Sequence, residues 1–292
     1  MIPITAITLA AFYTILAAAA TINKRIAGGE DAKNGEFPFI VSIQERGKHV
    51  CGGSLLSNIT VLTAGHCYGR DPLSVKAGTT CLGANLKEGG VDVEIESGVR
   101  HPDTDIAILK LKAPIETTVF ATLPPNDFDP VVNSSATIAG WGAQSSEKDG
   151  NGPPVDKLSK IGISINARDK CVKGWPILAG TNKFVCAGGD GKTICEYDSG
   201  SPLIDKKTGW LIGIAVSISP DKNREYCNLA PGLFERVSSW IPFINKYHNS
   251  SSPGYQTNRL NEQPVQPQET AVLEPISRRI PGTSRLTDAS GL

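Results

Sequence analysis

Three short runs, far apart in the chain, carry the residue types of a nucleophile, its base and the group that orients the base. They are Thr63-Ala-Gly-His-Cys67, Asp105-Ile-Ala-Ile-Leu109 and Asp198-Ser-Gly-Ser-Pro202. Each residue type is common, so the setting must carry the argument. His66 is the one histidine of four beside a cysteine that can be locked, because Cys51 lies in the strand-like run Cys51-Gly-Gly-Ser-Leu55. His49, His101 and His248 read as structural or surface residues. Asp105 opens the apolar run Ile106 to Leu111, where a carboxylate is desolvated and needs a partner. An imidazolium is a natural one, since the carboxylate holds the ring tautomer and stabilises the charge formed when histidine takes a proton. Asp103 is the reserve candidate. Ser199 precedes Gly200, and glycine relieves crowding at a tight turn. Such a turn aims backbone N–H groups at one point, which is what an oxyanion hole requires.

The elements that must position these residues are strands. From Ile26 to about Asn249 the chain reads as many short strands separated by Gly- and Asn-rich turns. Phe37–Ile43, Val91–Ile95, Ile106–Leu111 and Ile161–Ile165 alternate or run apolar at strand length. The pattern is that of a sandwich or barrel. Only Val237–Tyr247 has helical spacing, with Trp240, Ile244 and Tyr247 on one face and Pro242 near the first turn.

The 292 residues balance 29 basic against 29 acidic side chains, which gives no argument for nucleic acid or an anionic membrane. Residues 1–20 are apolar and uncharged and end in Ala17-Ala-Ala-Ala20, as in a secretory signal peptide. A membrane anchor is the alternative, at a marginal length. The stub 21–25 ends in the dibasic Lys24-Arg25. The tail 250–292, rich in Pro, Gln, Ser and Thr, lacks the apolar surface to offset its ordering entropy and is expected to be disordered. The seven cysteines, at 51, 67, 81, 171, 186, 195 and 227, fit an oxidising compartment. The sequons at Asn58, Asn133 and Asn249 fit the same one. No metal cluster or cofactor motif is evident.

Taken together, the runs resemble the trypsin/chymotrypsin family of serine endopeptidases, in particular secreted trypsin-like enzymes of fungi. The likeness covers roughly Ile26 to Tyr247. It includes Ile26-Ala-Gly-Gly29, Phe37-Pro-Phe39, Ala139-Gly-Trp-Gly142, Phe184-Val-Cys-Ala-Gly188 and Pro231 to Val237. The resemblance implies an all-β fold of two six-stranded antiparallel barrels with a C-terminal helix. It implies a catalytic set of His66, Asp105 and Ser199, with Ser217 supporting Asp105. Oxyanion donors would come from Tyr197 and Ser199. Bridges Cys51–Cys67, Cys171–Cys186 and Cys195–Cys227 would leave Cys81 over as a buried small hydrophobe. Cleavage after Arg25 by an activating protease would free the Ile26 amine to pair with Asp198, ordering the oxyanion turn.

The chain departs from the family at the nucleophile, where Tyr197 and Ser201 replace two glycines. Losing one oxyanion donor costs about 10²–10³ in turnover. Gly65 replaces the usual alanine, a change that looks mild. The stretch from Arg100 to Asp105 is short. Thr193 stands at the floor of the primary pocket, with Ser219 and Gly232 on its walls and Glu196 at its rim. A neutral floor leaves a buried cation unpaired, so uncharged small, medium or apolar residues are expected before the cut bond. The expected protein is a secreted, monomeric endopeptidase acting on proteins or peptides. The alternative is a weakly active homologue that binds another protein.

Overall fold

The computed structural model describes residues 29–69, 73–83, 89–117, 119–143, 153–218 and 230–249. The signal segment, the stub with Ile26, Ser219, Cys227 and the tail fall outside them. The described residues hold thirteen strands: β1 Glu30–Asp31, β2 Ile40–Glu45, β3 Lys48–Ser57, β4 Thr60–Ala64, β5 Leu73–Ala77, β6 Val91–Arg100, β7 Ile106–Leu111, β8 Ser135–Gly140, β9 Ser159–Asn166, β10 Phe184–Ala187, β11 Pro202–Asp205, β12 Leu211–Ile218 and β13 Gly232–Arg236. Two short helices join them, α1 Asp169–Val172 and α2 Ile241–His248.

All pairings between the named strands are antiparallel, and they close two rings. The first runs β2-β3-β4-β7-β6-β5. The second runs β8-β9-β10-β13-β12-β11 and closes through β8–β9, with β1 added at one end of β9. The fold is therefore two six-stranded barrels and a C-terminal helix. Closure removes the strand edges that would otherwise invite pairing with other chains.

Strand boundaries follow residue chemistry. Pro38 cannot donate to a ladder, and β2 starts at Ile40, past the Phe37-Pro-Phe39 run. In β9 the apolar Ile161, Ile163 and Ile165 point inward and alternate with exposed or half-exposed neighbours, the period of a half-buried strand. β7 is buried nearly throughout, and it carries Asp105 at its mouth.

The core of the first barrel is not built from that barrel alone. Val41, Ile43, Leu55, Leu62, Ile106 and Leu109 pack in one cluster with Leu211, Ile214, Val237, Trp240 and Ile244. The last of these sits on α2, so α2 packs over the first barrel. The second barrel packs Ile138, Ile161, Ile163, Ile165, Leu203, Ile212 and Phe234 around its own axis.

Disulfides join Cys51 to Cys67 and Cys171 to Cys186. Cys195 is disulfide-bonded too, while its expected partner Cys227 lies outside the described residues. Cys81 is buried and belongs to no disulfide. A bridge closing a loop as short as that between Cys51 and Cys67 stabilises by about 3 kcal/mol, chiefly by constraining the unfolded chain.

Candidate active site

His66 occupies a single 3-10 turn, Gly65–Cys67, directly after β4. Asp105 sits at the start of β7, which pairs with β4 through Ala64 and Ile106. That pairing brings the two residues together. Asp105 Oδ2 lies 2.6 Å from His66 Nδ1, and Asp105 Oδ1 accepts the His66 backbone N–H at 2.7 Å. One carboxylate thus fixes both the ring and the turn that bears it. Burial pushes the Asp105 carboxyl up, but its hydrogen bonds and charge contact with His66 outweigh that and hold it below its ordinary value. Gly65 is tighter than its sequence suggests. A Cβ there would meet Asp105 Oδ1 at 2.9 Å and the Ile106 nitrogen at 3.1 Å, so its lack of a side chain lets the carboxylate approach. Asp103, the reserve candidate, is exposed.

Ser199 lies on the turn before β11. The turn is sewn to both barrels by backbone bonds: Gly52 N–H to Ser199 O at 2.7 Å, Gly200 N–H to Ala215 O at 2.7 Å, and Ala215 N–H to Ser201 O at 2.9 Å. Gly200 has φ +81, and a Cβ would stand 2.2 Å from both Gly52 O and Thr63 Oγ1. No other residue fits there. The Ser199 hydroxyl is turned toward the Val216 carbonyl at 3.5 Å.

Asp198 is fully buried. Its carboxylate accepts N–H bonds from Gly142 and Cys195, each at 2.9 Å. Burial nevertheless pushes its pKa up to about 7, because no described cation pairs with it. Tyr197 adopts φ +68, left-handed backbone that costs a non-glycine residue roughly 1 kcal/mol. Its ring packs against Ala143 and Cys195. Its carbonyl accepts a bond from His49 Nε2 at 3.1 Å, while His49 Nδ1 lies 2.8 Å from Ser42 Oγ. Burial drives the His49 pKa down to about 4, against that hydrogen bond. A neutral ring donating from Nε2 must accept from Ser42 at Nδ1. Sequence reasoning set His49 aside because its contact with Tyr197 spans two distant runs.

A chain of two barrels, in which Asp105 holds His66 and Ser199 lies on a turn bonded to both barrels, is matched by one family model, Trypsin, over residues 26–244. The chain belongs to the trypsin family. It is a serine-type endopeptidase. Among curated relatives, the heavy chain of a venom peptide isomerase from Agelenopsis aperta is 31% identical over 76% of this chain and 99% of its own. Trypsin beta of Drosophila erecta is 29% identical over 75% and 88%. Among solved structures, mouse-brain neuropsin superposes with TM-score 0.66 at 24% identity, over 76% of this chain and 99% of that one. A mutant of human heparin binding protein gives 0.68 at 25% identity, over 78% and 99%.

Within this trypsin-family frame, Ser217 must be corrected. Its hydroxyl donates to the Ile218 carbonyl at 3.4 Å and makes no bond to Asp105. The pairing of β12 with β13 shifts register between Ala215 and Ser217, and it is the Val216 carbonyl that faces the nucleophile.

Thr193 is completely buried, and its Oγ1 has no hydrogen-bond partner among the described residues. Ile194, which sequence reasoning passed over, is buried beside it, and a Cβ on Gly232 would meet Ile194 Cγ1 at 3.0 Å. Its side chain therefore fills the space that Gly232 leaves. Ile218 packs with Tyr197 against Ala143 and Cys195. Ser201 is buried with an unpartnered Oγ, wedged where side chains on Gly52 or Gly140 would collide with it.

The one described group of metal-ligating types is Cys51, His66 and Cys67. Both sulfurs are tied in a disulfide, so it holds no metal-binding thiolate. No helix among the described residues is long and apolar enough to cross a membrane.

Proposed function

We propose that this chain is a secreted endopeptidase, made inert and activated by cleavage after Arg25, that hydrolyses peptide bonds through an acyl-enzyme. The 2.6 Å contact of His66 Nδ1 with Asp105 carries the reading. It holds the ring in the tautomer whose Nε2 is open to take a proton. Ser199 Oγ attacks the substrate carbonyl as His66 removes its proton. The N–H groups of Tyr197 and Ser199 receive the oxyanion, and His66 returns the proton to the leaving amine. Water then repeats the sequence to free the acid.

Activation is supported by Asp198. It is buried without a described cation beside it, a state that the free amine of Ile26 would relieve. The primary pocket favours small uncharged residues. Thr193 offers no counter-charge to Lys or Arg, and Ile194 narrows the base. The partners are protein or peptide substrates and an activating protease, for a monomer without nucleic acid or membrane. Exposed Asn58 and Asn133 suit glycosylation in the secretory route.

A second reading, a protein-binding homologue with little activity, is favoured by the orientation of the Ser199 hydroxyl toward Val216 and the strained Tyr197. Cleaving the purified precursor after Arg25 and adding a serine-directed fluorophosphonate separates the two. The protease reading expects labelling of the processed wild type and none of Ser199→Ala. An unlabelled wild type transfers the case to the binding protein. Product sequencing then tests the pocket, and dominant cuts after Lys or Arg would sink the specificity assigned to it.

A further inference from the structure

Asp105 is well placed although the run before it is short and Ser217 does not reach it. Its support comes from the other barrel. The Asp105 backbone N–H donates to Glu235 Oε1 at 3.4 Å. The indole N–H of Trp240 donates to Glu235 Oε2 at 3.1 Å, and the Thr104 side chain bonds the same carboxylate. Further back, the His101 ring packs 4.6 Å from Trp240 and 4.9 Å from Phe243. His101 Nδ1 accepts the Asp103 N–H at 3.1 Å. The whole turn from His101 to Asp105 therefore rests on Glu235, Trp240 and Phe243.

Both Glu235 oxygens accept an N–H here, whereas a neutral amide offers one acceptor oxygen and would set its NH2 against the other donor. Burial raises the Glu235 pKa, the Asp105 charge raises it further, and the three donors only partly offset this. A carboxylate meets that need with two acceptor oxygens, at the cost of a buried charge. It suits a second task, since negative charge behind Asp105 adds to the field that stabilises the imidazolium of His66. The other charged groups in this region are few. Arg100 acts on Asp105 from the near side, and Lys183 Nζ lies over the Trp240 ring at 4.9 Å. Arg236, the next residue along β13, is turned toward Ser239 and Asp129.

We propose that Glu235 is a positioning residue for the proteolytic reaction: it holds Asp105 in the place of Ser217 and, through Asp105, sets the orientation and basicity of His66. This rests on the His66, Asp105, Ser199 reading above. The test compares E235A and E235Q with wild type, each cleaved after Arg25, by the pH dependence of peptide-amide hydrolysis and by fluorophosphonate labelling rate. E235A is expected to lower kcat by about 10–100-fold with KM within about twofold. E235Q keeps one acceptor oxygen for the Asp105 N–H but loses the one facing Trp240, and it recovers part of that loss. Its acid limb of kcat/KM moves down by roughly half a pH unit, because less negative charge faces the imidazolium. Wild-type kcat and an unmoved acid limb in both variants overturn the proposal, as does a change confined to KM. Should E235A not fold, Trp240→Phe removes one donor to Glu235 while keeping a ring under His101. It is expected to lower kcat several-fold, and an unchanged kcat overturns the proposal equally. Wild type that takes no label sinks the protease reading instead, so the two failures are distinct.

Discussion

The turn that carries His66 is tied by a disulfide, by the β4–β7 ladder and by both oxygens of Asp105. The turn that carries Ser199 is bonded to both barrels through its backbone, but it encloses a buried carboxylate, Asp198, whose described hydrogen-bond partners are backbone N–H groups. The first half of the site is complete once the barrel closes. The second keeps two adjacent residues under tension: Tyr197 at φ +68 and Asp198 with its pKa pushed up to about 7. The base is built for rigidity, whereas the nucleophile turn encloses a buried carboxylate that the proposed activation would pair with the Ile26 amine.

The largest test of this contrast removes the finished half. Asp105→Asn keeps the shape but frees the ring tautomer, and kcat is expected to fall by about 10⁴. Steady-state kinetics on the cleaved protein measure it; a loss of tenfold or less would mean that His66 is oriented by something else.

A smaller effect, on the order of 1–3 kcal/mol, probes the dependent half through pH. Asp198 keeps its proton in the folded precursor where the unfolded chain has lost it. Its contribution to stability therefore declines as pH rises from 3.8 to about 7. His49 runs the other way: it stays neutral when folded, so its contribution grows as pH rises from about 4 to 6.5. After cleavage, the Ile26 amine offsets the Asp198 charge but leaves His49 untouched. Urea midpoints should thus show the cleaved form to be more stable than the precursor above pH 7. The two should converge near pH 4. A gap that is equal at both ends would show that Asp198 is not the group involved.

The smallest expected change sharpens the comparison at Tyr197. Tyr197→Gly relieves left-handed strain of about 1 kcal/mol and should raise kcat/KM by up to about tenfold. An unchanged value in a peptide-amide assay would mean that the oxyanion N–H is already well aimed.

Most of the fold and the surroundings of the three proposed triad residues were legible in the chain, because local backbone demands mark them. Gly200 is required by a tight turn, the apolar β7 by burial, and Cys67 by the bridge beside His66. What escaped is made of contacts between distant runs. Ser217 bonds the Ile218 carbonyl beside a register shift that leaves no sequence signal. His49 and Glu235 look like ordinary strand residues until the barrels bring them to Tyr197 and Asp105. Ile194 shows its effect only once Gly232 is opposite it.

The closure of the first barrel by Leu211, Ile214, Val237, Trp240 and Ile244 bears on the order of events during synthesis. Contacts of such long sequence separation form late and slow the folding search. A nascent chain cannot complete the core beneath His66 until α2 has emerged. The packing beneath His66 therefore waits on a segment made almost two hundred residues after it.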